Sequence, residues 1–524
     1  MTEAGPAAGP GALEEHGMIE EHGAVDEHSA TPPRTHITPR GAMLVGARLM
    51  AGLVGVGVAV ATVAAATWLP LPMLGPDPAS SLVTPVAALQ QRICPGPALQ
   101  LGDATGKDAA TAYTVGTVDV ARASTRGEPS LEALPSPENP SNLPPQKLIL
   151  SPPAAGEPSG ILAGSQSQKV DAGDLKGFAA VQCATSNSDG WLVGGSTVTG
   201  RTTLLSLSNP SNVTSTVDLQ VFSESGLVAA AGTDGIVVPP GGQRVFSLAA
   251  FAPDVSSPVV HVVTTGGQIV ATLQQSIVRT LDPGGIDVSG VSARPSTLSV
   301  IPGIVLTGND AIEAIQGTGG YQDATPVLRI LVPGTKPTDA HITVYPEDGV
   351  TAPSSVTLSV TGGVVADFPL GDFPDGSYTL SVATDRPAVV AARAATVTLK
   401  GGIPTDPARS PVLGATDFAW FVSAPQLHGE ALLSVAPGPS PILHLVNPND
   451  APVTVTMSAA GGVDRTVTVP AGGVAAVPVS GGASYTLSGF DTLRASLSYR
   501  GAGALASFVL TPPESASQPM RVFR

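Results

Sequence analysis

Hydrophobic and polar positions follow two different patterns along this chain. Residues Leu49–Leu69 form a run of 21 residues without a charge, and at helical rise such a run spans about 30 Å, the thickness of a bilayer's hydrocarbon core. From Trp191 onward, short runs alternate apolar and polar residues and end at Gly or Pro, which is typical of half-buried strands joined by turns. The pattern predicts one membrane-spanning helix followed by a strand-rich region.

The distribution of positive charge predicts how this helix is oriented. Three arginines precede the apolar run, whereas no Lys or Arg follows it until Arg92. Because positive flanks stay on the cytoplasmic side, we expect the N-terminus inside and the chain after Pro70 outside. Trp68 and Leu69 then lie at the outer interface, where an aromatic residue anchors a span. The predicted localisation is the cell membrane, single-pass, with the bulk of the chain extracytoplasmic.

A cleaved signal peptide is the alternative reading of the same run. Ala64, Ala65 and Ala66 offer a small-residue cleavage site after an apolar stretch. The polar leader of about 40 residues and the length of the apolar run favour an uncleaved anchor. Both readings export the C-terminal bulk.

Three passages in the exported part repeat one order of elements. Each has a strand, a turn, an alternating strand, a Pro/Gly-Gly turn and a closing hairpin, and the passages begin at Leu204, Leu328 and Ile442, a period of about 115 to 125 residues. This is the size of an immunoglobulin-like β-sandwich. The predicted fold class is mainly β: a single N-terminal transmembrane helix followed by tandem immunoglobulin-like β-sandwich modules.

The predicted domain organisation follows from these segments. It comprises a disordered acidic cytoplasmic leader (1–40), a transmembrane anchor (41–72), a Pro-rich irregular region closed by a disulfide (73–187), and three sandwich modules (188–290, 291–403 and 404–524). The closing hairpins are predicted at Val259–Leu273, at Tyr378–Val397 with a turn at 385–387, and at Leu493–Leu510. In the alternative organisation, the pieces Leu281–Asp323 and Gly401–Ser440 contribute strands to neighbouring modules.

Composition and charge narrow the possible partners. Gly (60) and Pro (51) are abundant, while aromatic residues are 4% and charged residues 13% of the chain, which favours short strands and turns over a helix-rich enzyme. The net charge is −16, and the leader through Arg48 contributes −4 from seven acids and three arginines. With no basic patch on either side, nucleic acid is excluded as an expected partner. The membrane, other envelope proteins and cell-wall glycan remain.

Candidate chemistry is sparse. Cys94 and Cys183 are the two cysteines, and in an exported chain they are expected to form one disulfide. The sequence contains no Gly-x-Ser-x-Gly, His-Glu-x-x-His, phosphate loop, dinucleotide fingerprint or Cys-x-x-Cys motif. We therefore expect no catalytic residue, no cofactor and no enzymatic activity. Three of the four histidines outside the leader lie in predicted strands, where a structural role is expected: the four are His261, His341, His428 and His444.

Metal binding has two weak candidates. Glu/His clusters recur every six residues in the leader, beginning with Glu14–Gly17, and carboxylate with imidazole can bind zinc, nickel or copper. The pair Asp171 and Asp174, and the Asn447–Asp450 stretch, offer oxygen ligands that suit calcium. A solvated tail and ordinary turn chemistry explain these residues without a metal, and we favour those explanations.

The run Gly190–Thr197, followed by Leu207–Pro210 and the strand Val217–Val221, resembles a domain-of-unknown-function family of actinobacterial envelope proteins. Such proteins have one N-terminal anchor, a Cys-Pro-Gly near the start of the exterior region, here at Cys94, and a second Cys shortly before Trp-x-Val-Gly-Gly, here Cys183. The resemblance covers Ile93 to the C-terminus. It implies a membrane-anchored, secreted β-rich protein and assigns no activity and no site residue.

Two function classes follow from these expectations. The first is a non-catalytic structural or interaction protein of the bacterial cell envelope, since strand-rich modules on a stalk provide binding surface. The second is a polysaccharide-binding accessory protein or a wall-acting enzyme. Trp191 and Trp420 discriminate between them: their exposure in one cleft favours glycan binding, and their burial removes that support.

Overall fold

The computed structural model describes residues 50, 52–62 and 80–523, with gaps at 84–88, 103–110, 136–142, 155–156, 158, 317–320, 407–408 and 514–519. Residues 52–62 are helical. The predicted leader and the predicted span residues Leu49, Trp68 and Leu69 lie outside the described residues. Among the helices that the structure describes, none has both the length and the apolar character needed to cross a membrane.

The mainly β prediction is confirmed. Residues Ser81–Val522 form one compact unit of antiparallel sheets. Its N-terminal part contains three small sheets, β2-β7-β6, β3-β4 and β5-β8-β9, and β1 pairs with the C-terminal strand Met520–Phe523. The strands are β1 (Ser80–Val83), β2 (Gln90–Cys94), β3 (Ala98–Leu101), β4 (Ala112–Val115), β5 (Asp119–Ser124), β6 (Ser130–Ala133), β7 (Gln146–Leu150), β8 (Leu162–Ala172) and β9 (Leu175–Gln182).

The following chain contains three repeats of one strand pattern, each with two sheets. Repeat 1 comprises β10 (Asp189–Val193), β11 (Arg201–Ser208), β12 (Ser215–Ser223), β13 (Gly226–Leu227), β14 (Ile236–Val238), β15 (Gln243–Ser247), β16 (Val259–Gly266), β17 (Val270–Arg279) and β18 (Asp282–Ser289). One sheet has β16 between β10 and β12, with β13 and β14 on β12; the other has the order β15-β11-β17-β18. Short 3-10 turns lie at Leu248–Ala250 and Gln322–Ala324, and a helix at Asn309–Ile315.

Repeats 2 and 3 use one long strand for both sheets. Repeat 2 comprises β19 (Ser296–Leu306), β20 (Val327–Leu331), β21 (Thr338–Pro346), β22 (Ser354–Val360), β23 (Ala366–Pro369), β24 (Gly376–Leu399) and β25 (Leu413–Val422). Repeat 3 comprises β26 (Leu427–Ser434), β27 (Ile442–Val446), β28 (Val453–Ala459), β29 (Arg465–Val469), β30 (Val474–Pro478), β31 (Ser484–Gly501) and β32 (Ala504–Val509), and β33 is Met520–Phe523. The N-terminal half of β24 pairs with β19 and β21, and its C-terminal half pairs with β20 and β25. Likewise, the N-terminal half of β31 pairs with β26 and β28, and its C-terminal half pairs with β27 and β32.

Two of the three predicted closing hairpins are wrong. Residues 378–397 do not turn at 385–387 but lie within the continuous strand β24, where the exposed residues Asp385–Pro387 form an irregularity as the strand passes from one sheet to the other. The stretch Val259–Leu273 does turn near Gly266, yet β16 and β17 enter different sheets and do not pair. The third hairpin is confirmed, since β31 and β32 pair around Gly501–Gly503.

Local sequence explains the strands and their turns. On β12, Val217, Leu219 and Val221 alternate with more exposed residues and pack into the core of repeat 1. Asn209 and Asn447 occupy the same turn in repeats 1 and 3, each fully buried with its side-chain amide bonded to backbone carbonyls of the turn. The Asn-Pro signal in the sequence therefore marks a side-chain-stabilised turn.

The last strands of four sheets lie around a common axis. β9 packs on β18, β18 on β25, β25 on β32, and β32 on β9. β25, which lies beyond the predicted boundary at residue 403, pairs with β24 of repeat 2. The sheet β5-β8-β9 thus completes a ring begun by the three repeats, and β9, β18, β25 and β32 are called the axial strands below.

Candidate functional site

The Asp417 carboxylate lies at the centre of the axial strands. It is buried, and it accepts backbone N–H groups from Phe178 on β9 (2.8 Å), Ile286 on β18 (3.1 Å) and Leu505 on β32 (3.0 Å). The N–H of Phe418, on its own strand, is a fourth donor. One side chain therefore joins all four sheets.

Small residues occupy the equivalent positions on the other axial strands, and at the two glycines the carboxylate needs the space. Gly177, Gly285 and Ala504 each precede the residue that donates to Asp417. A Cβ at Gly177 would collide with Oδ1 of Asp417, and one at Gly285 would lie 2.9 Å from it. Both glycines also have φ above +130°, a conformation that L side chains rarely adopt.

Opposing effects act on the charge of Asp417. Burial raises the pKa of its carboxyl well above the usual range, while the four N–H donors stabilise the ionised form and lower the pKa. Removing the carboxyl would leave those donors without partners in the interior, so Asp417 is foremost a structural hub.

Asp287, the residue that follows Ile286 on β18, is a second buried acid. Oδ2 of Asp287 accepts the N–H of Trp420 at 3.0 Å, and the side chain is buried. Burial raises the pKa of Asp287 to about 7, although the backbone hydrogen bonds from Trp420 and Val288 act to lower it. Its Oδ1 and the Nε2 of Gln275, the residue opposite it on β17, have no hydrogen-bond partner among the described residues.

Replacing Asp287 with Asn is expected to remove a pH-dependent loss of stability. A carboxyl with a raised folded-state pKa contributes its full stability below its ordinary value of 3.8 and loses it as pH rises to about 7. The free energy of unfolding of Asp287→Asn, relative to wild type, should therefore rise between pH 4 and pH 7 and level off above it. Urea unfolding at several pH values measures this, with the exposed Asp339→Asn as control; a pH-independent difference would contradict it.

Polar side chains bridge each pair of neighbouring sheets. Arg329 of repeat 2 is fully buried, forms a two-bond ion pair with Asp367, and donates to the carbonyls of Gly195, Ser256 and Pro258 in repeat 1. Its guanidinium lies 4.5 Å from the Trp420 ring centroid. Burial raises the pKa of Asp367, but the charge of Arg329 and its hydrogen bonds outweigh this and hold it below its usual value.

The other three junctions have similar ties. Gln274 of repeat 1 exchanges two hydrogen bonds with the backbone of Leu99 on β3, and the neighbouring Ala98 donates its N–H to Gln168 of β8. Ser165 of β8 donates to the carbonyl of Ser434 in repeat 3. Between repeats 2 and 3, Glu347 bonds His444 at 2.5 Å. Each sheet is therefore fixed to its neighbours by buried polar contacts, which specify one arrangement of the ring.

The Glu347–His444 pair continues to a serine. Nε2 of His444 lies 2.7 Å from Oγ of Ser498, so the three side chains have the connectivity of a hydrolase triad. The side chains of Glu347 and His444 are buried, and Ser498 is fully buried within its sheet. Ser498 is 0% exposed and its hydroxyl is engaged by His444, so the three side chains serve as an inter-repeat tie.

The axial strands end at one open depression. Its empty volume is about 1730 Å³, and the segments that follow β9, β18, β25 and β32 all line it, together with Leu89, Gln91 and Gln268. Hydroxyl and amide groups, prolines and two charged side chains, those of Asp189 and Arg294, line it; the others include Thr185, Asn187, Ser292, Pro425 and Thr511. We call this feature the axial depression. All four sheets contribute to it, so its shape depends on the whole ring.

The cysteines, the acidic pair and the histidines singled out in the sequence have structural positions. Cys94 and Cys183 form the predicted disulfide, buried beside Leu148, Leu150 and Leu162. Asp174 is the second residue of the two-residue turn between β8 and β9, whereas Asp171 lies on β8 opposite Lys176, 3.8 Å from its Nζ. The four histidines all lie in strands. Within the described ranges, no three His, Cys, Asp or Glu side chains are grouped so that they could hold a metal.

The two discriminating tryptophans are buried. Trp191 is 6% exposed and Trp420 is 1% exposed, both in the apolar cluster between repeats 1 and 2. Trp191 stacks on His261, with ring centroids 4.0 Å apart. They provide no aromatic platform for a sugar ring, and the support that their exposure would have given to glycan binding is absent.

Sequence reasoning missed Asp417 and Arg329. Each is a single charge inside an otherwise apolar strand, in Asp417-Phe418-Ala419-Trp420 and in Leu328-Arg329-Ile330. A lone charge in a buried strand is a signal for a satisfied interior partner. The sequence does not name these partners, because the donors from the other axial strands lie at least 88 residues from Asp417 and Asp367 lies 38 residues from Arg329.

The fold and the site define a β-rich protein of repeated antiparallel sheets that surround one axis and open at one end in a polar depression. Residues 144–480 match the Family of unknown function (DUF5719), and since this is more than half of the chain, the protein belongs to that family. No curated protein matches the chain.

Proposed function

We propose that this chain is a non-catalytic interaction protein of the bacterial cell envelope, held by a single-pass anchor with its β-rich part extracytoplasmic. In this proposal the three repeats are tandem immunoglobulin-like modules, as their size and paired sheets suggest. The resemblance to actinobacterial envelope proteins supports the same location. The disulfide Cys94–Cys183 supports an oxidising compartment.

The axial depression is the observation that carries the proposal. Binding sites favour concave surfaces where several rigid elements converge, and here four sheets end at one depression. Buried ties such as Arg329–Asp367 hold the walls in place, so a partner would meet a preorganised surface. The buried ionisable groups are engaged in joining sheets, which leaves the depression with binding groups rather than a reaction centre.

A neutral polysaccharide is the second candidate occupant. The hydroxyl and amide side chains of Thr185, Asn187 and Gln268 line the depression and suit sugar hydroxyls. Because Trp191 and Trp420 are buried, neither ring can stack on a sugar and strengthen its binding. A protein partner is therefore the favoured occupant.

Site-specific photocrosslinking in cells tests the proposal. A photoreactive amino acid at Arg294, an exposed position in the depression, is expected to give discrete adducts with envelope proteins. The matched control is Val463, which is 90% exposed and lies outside the depression. Equal adduct patterns at the two positions would overturn the proposed site, and glycan adducts alone would replace a protein partner with polysaccharide.

A further inference from the structure

Repeat 2 has an apolar groove where its two sheets separate. The groove runs between the edge strands β22 and β23 and has an empty volume of about 810 Å³. Aliphatic and aromatic side chains dominate its walls: Leu328, Ile342, Val356, Leu358, Phe368 and Phe373. It shares no lining residue with the axial depression, so it is a separate site.

The corresponding gap in repeat 1 is filled by the chain itself. There, Leu248 and Ala252 are fully buried and Val255 is 7% exposed, and all three belong to the core of the repeat. In repeat 2, the residues after β23 are Leu370 and Phe373, which are only partly buried against the core. The same position in the fold is thus closed in repeat 1 and open in repeat 2.

The strand beside the groove has a free edge. Among the strands that the structure describes, β22 pairs with β21 alone, so its other side presents unpaired backbone groups to solvent. Val356 is 50% exposed at the groove, and Leu358 is partly buried two residues further on. An added strand could pair with β22 and insert alternate side chains into the groove, the geometry of β-augmentation.

The charged residues in the segments around the groove indicate what kind of partner would bind there. Residues 337–376, which supply β21, β22 and β23, contain six acids and no Lys or Arg. Asp367 and Glu347 are engaged with Arg329 and His444. The other four are exposed: Asp339, Asp348, Asp372 and Asp375. Asp372 lies in the same loop as Phe373, which lines the groove.

This negative surface argues against two other occupants. A second copy of the chain has a net charge of −16 and the same acids in the segments around its groove, so bringing two copies together at this edge would be opposed by the repulsion of two negative surfaces. Anionic lipid headgroups would be repelled in the same way. An extended segment that combines apolar side chains with Lys or Arg satisfies both the groove and its surroundings.

We propose that the groove of repeat 2 binds an extended segment of a partner protein, with alternating apolar side chains and flanking Lys or Arg, which adds as a strand to the edge of β22. This site goes beyond the function proposed for the axial depression. The two sites share no residue, so either can fail while the other stands.

Panning a phage-displayed library of random 12-residue peptides against the full chain tests this site. The enriched peptides are expected to alternate apolar residues and to contain Lys or Arg at their ends. Their dissociation constants, measured by fluorescence anisotropy, should increase at least tenfold in Val356→Asp, because a charge enters the apolar groove. Added salt should also weaken binding, since the flanking contacts are exposed charge pairs.

A matched variant separates this effect from a loss of folding. Val237 lies on β14, the topologically equivalent strand of repeat 1, and is also 50% exposed, so Val237→Asp introduces the same change outside the groove. Val237→Asp should bind as wild type does. The proposal is overturned if panning yields no enriched sequence, if enriched peptides lack the basic alternating pattern, if both variants bind alike, or if phosphatidylglycerol vesicles bind through Val356.

Discussion

Replacing Asp417 with Ala is expected to lower the free energy of unfolding by about 5 kcal/mol, the largest effect of any single substitution proposed here. The change leaves four buried N–H groups without an acceptor, and each such group costs about 1 to 3 kcal/mol. Because these donors come from β9, β18, β25 and β32, the loss falls on all four sheets at once. Urea unfolding followed by the fluorescence of the buried Trp191 and Trp420 measures it.

Two controls define what this result means. Asp417→Asn keeps the shape and one carbonyl acceptor, so its loss should be smaller than that of Asp417→Ala. Asp339→Ala, at an exposed position, should change stability by no more than about 0.5 kcal/mol. If Asp417→Ala were no more destabilising than Asp339→Ala, the carboxylate would not hold the ring together.

Removing the disulfide by the pair Cys94→Ala and Cys183→Ala is expected to cost about 4 kcal/mol. The bond closes a loop with a sequence separation of 89, for which the chain-entropy model gives about 4 to 5 kcal/mol. It also joins β2 to the segment after β9, an axial strand. The Ala pair fits the apolar surroundings and avoids buried hydroxyls.

The measurement compares urea unfolding of wild type and the double variant with and without reductant. Reductant should destabilise wild type, once its disulfide is reduced in the unfolded state, to the level of the double variant, and should leave the variant unchanged. A loss below about 1 kcal/mol would show that loop closure contributes little and that strand pairing alone fixes β2.

Local sequence patterns were sufficient to predict many of the strands and turns and the threefold repeat. The alternation on β12 and the Asn-Pro turn at Asn209 predicted what they form, because side-chain period and turn chemistry act within a few residues. The same reasoning placed a turn at 385–387, since an Asp-Arg-Pro sequence favours one. The structure instead continues through β24, because residues 389–397 pair with β20 and β25, and that pairing lies outside the local sequence.

The closure of the ring could not be predicted from any single repeat. β9 comes from the region that was expected to be irregular, and it packs against both β18 and β32. The clue lies in positions that match only in three dimensions: Gly177 and Gly285 leave room for the carboxylate of Asp417. These glycines can be recognised as equivalent only when the axial strands are compared in three dimensions. The axial depression has the same origin, because segments that follow strands of four different sheets line it.

Hydrogen exchange of three backbone amides tests the central claim, that the four sheets are one cooperative unit joined at Asp417. The amides of Phe178, Ile286 and Leu505 should exchange only with global unfolding in wild type, and with one shared free energy. In Asp417→Ala all three should lose protection together. Exchange at three different rates in wild type, or loss of protection at only one strand in the variant, would contradict the account.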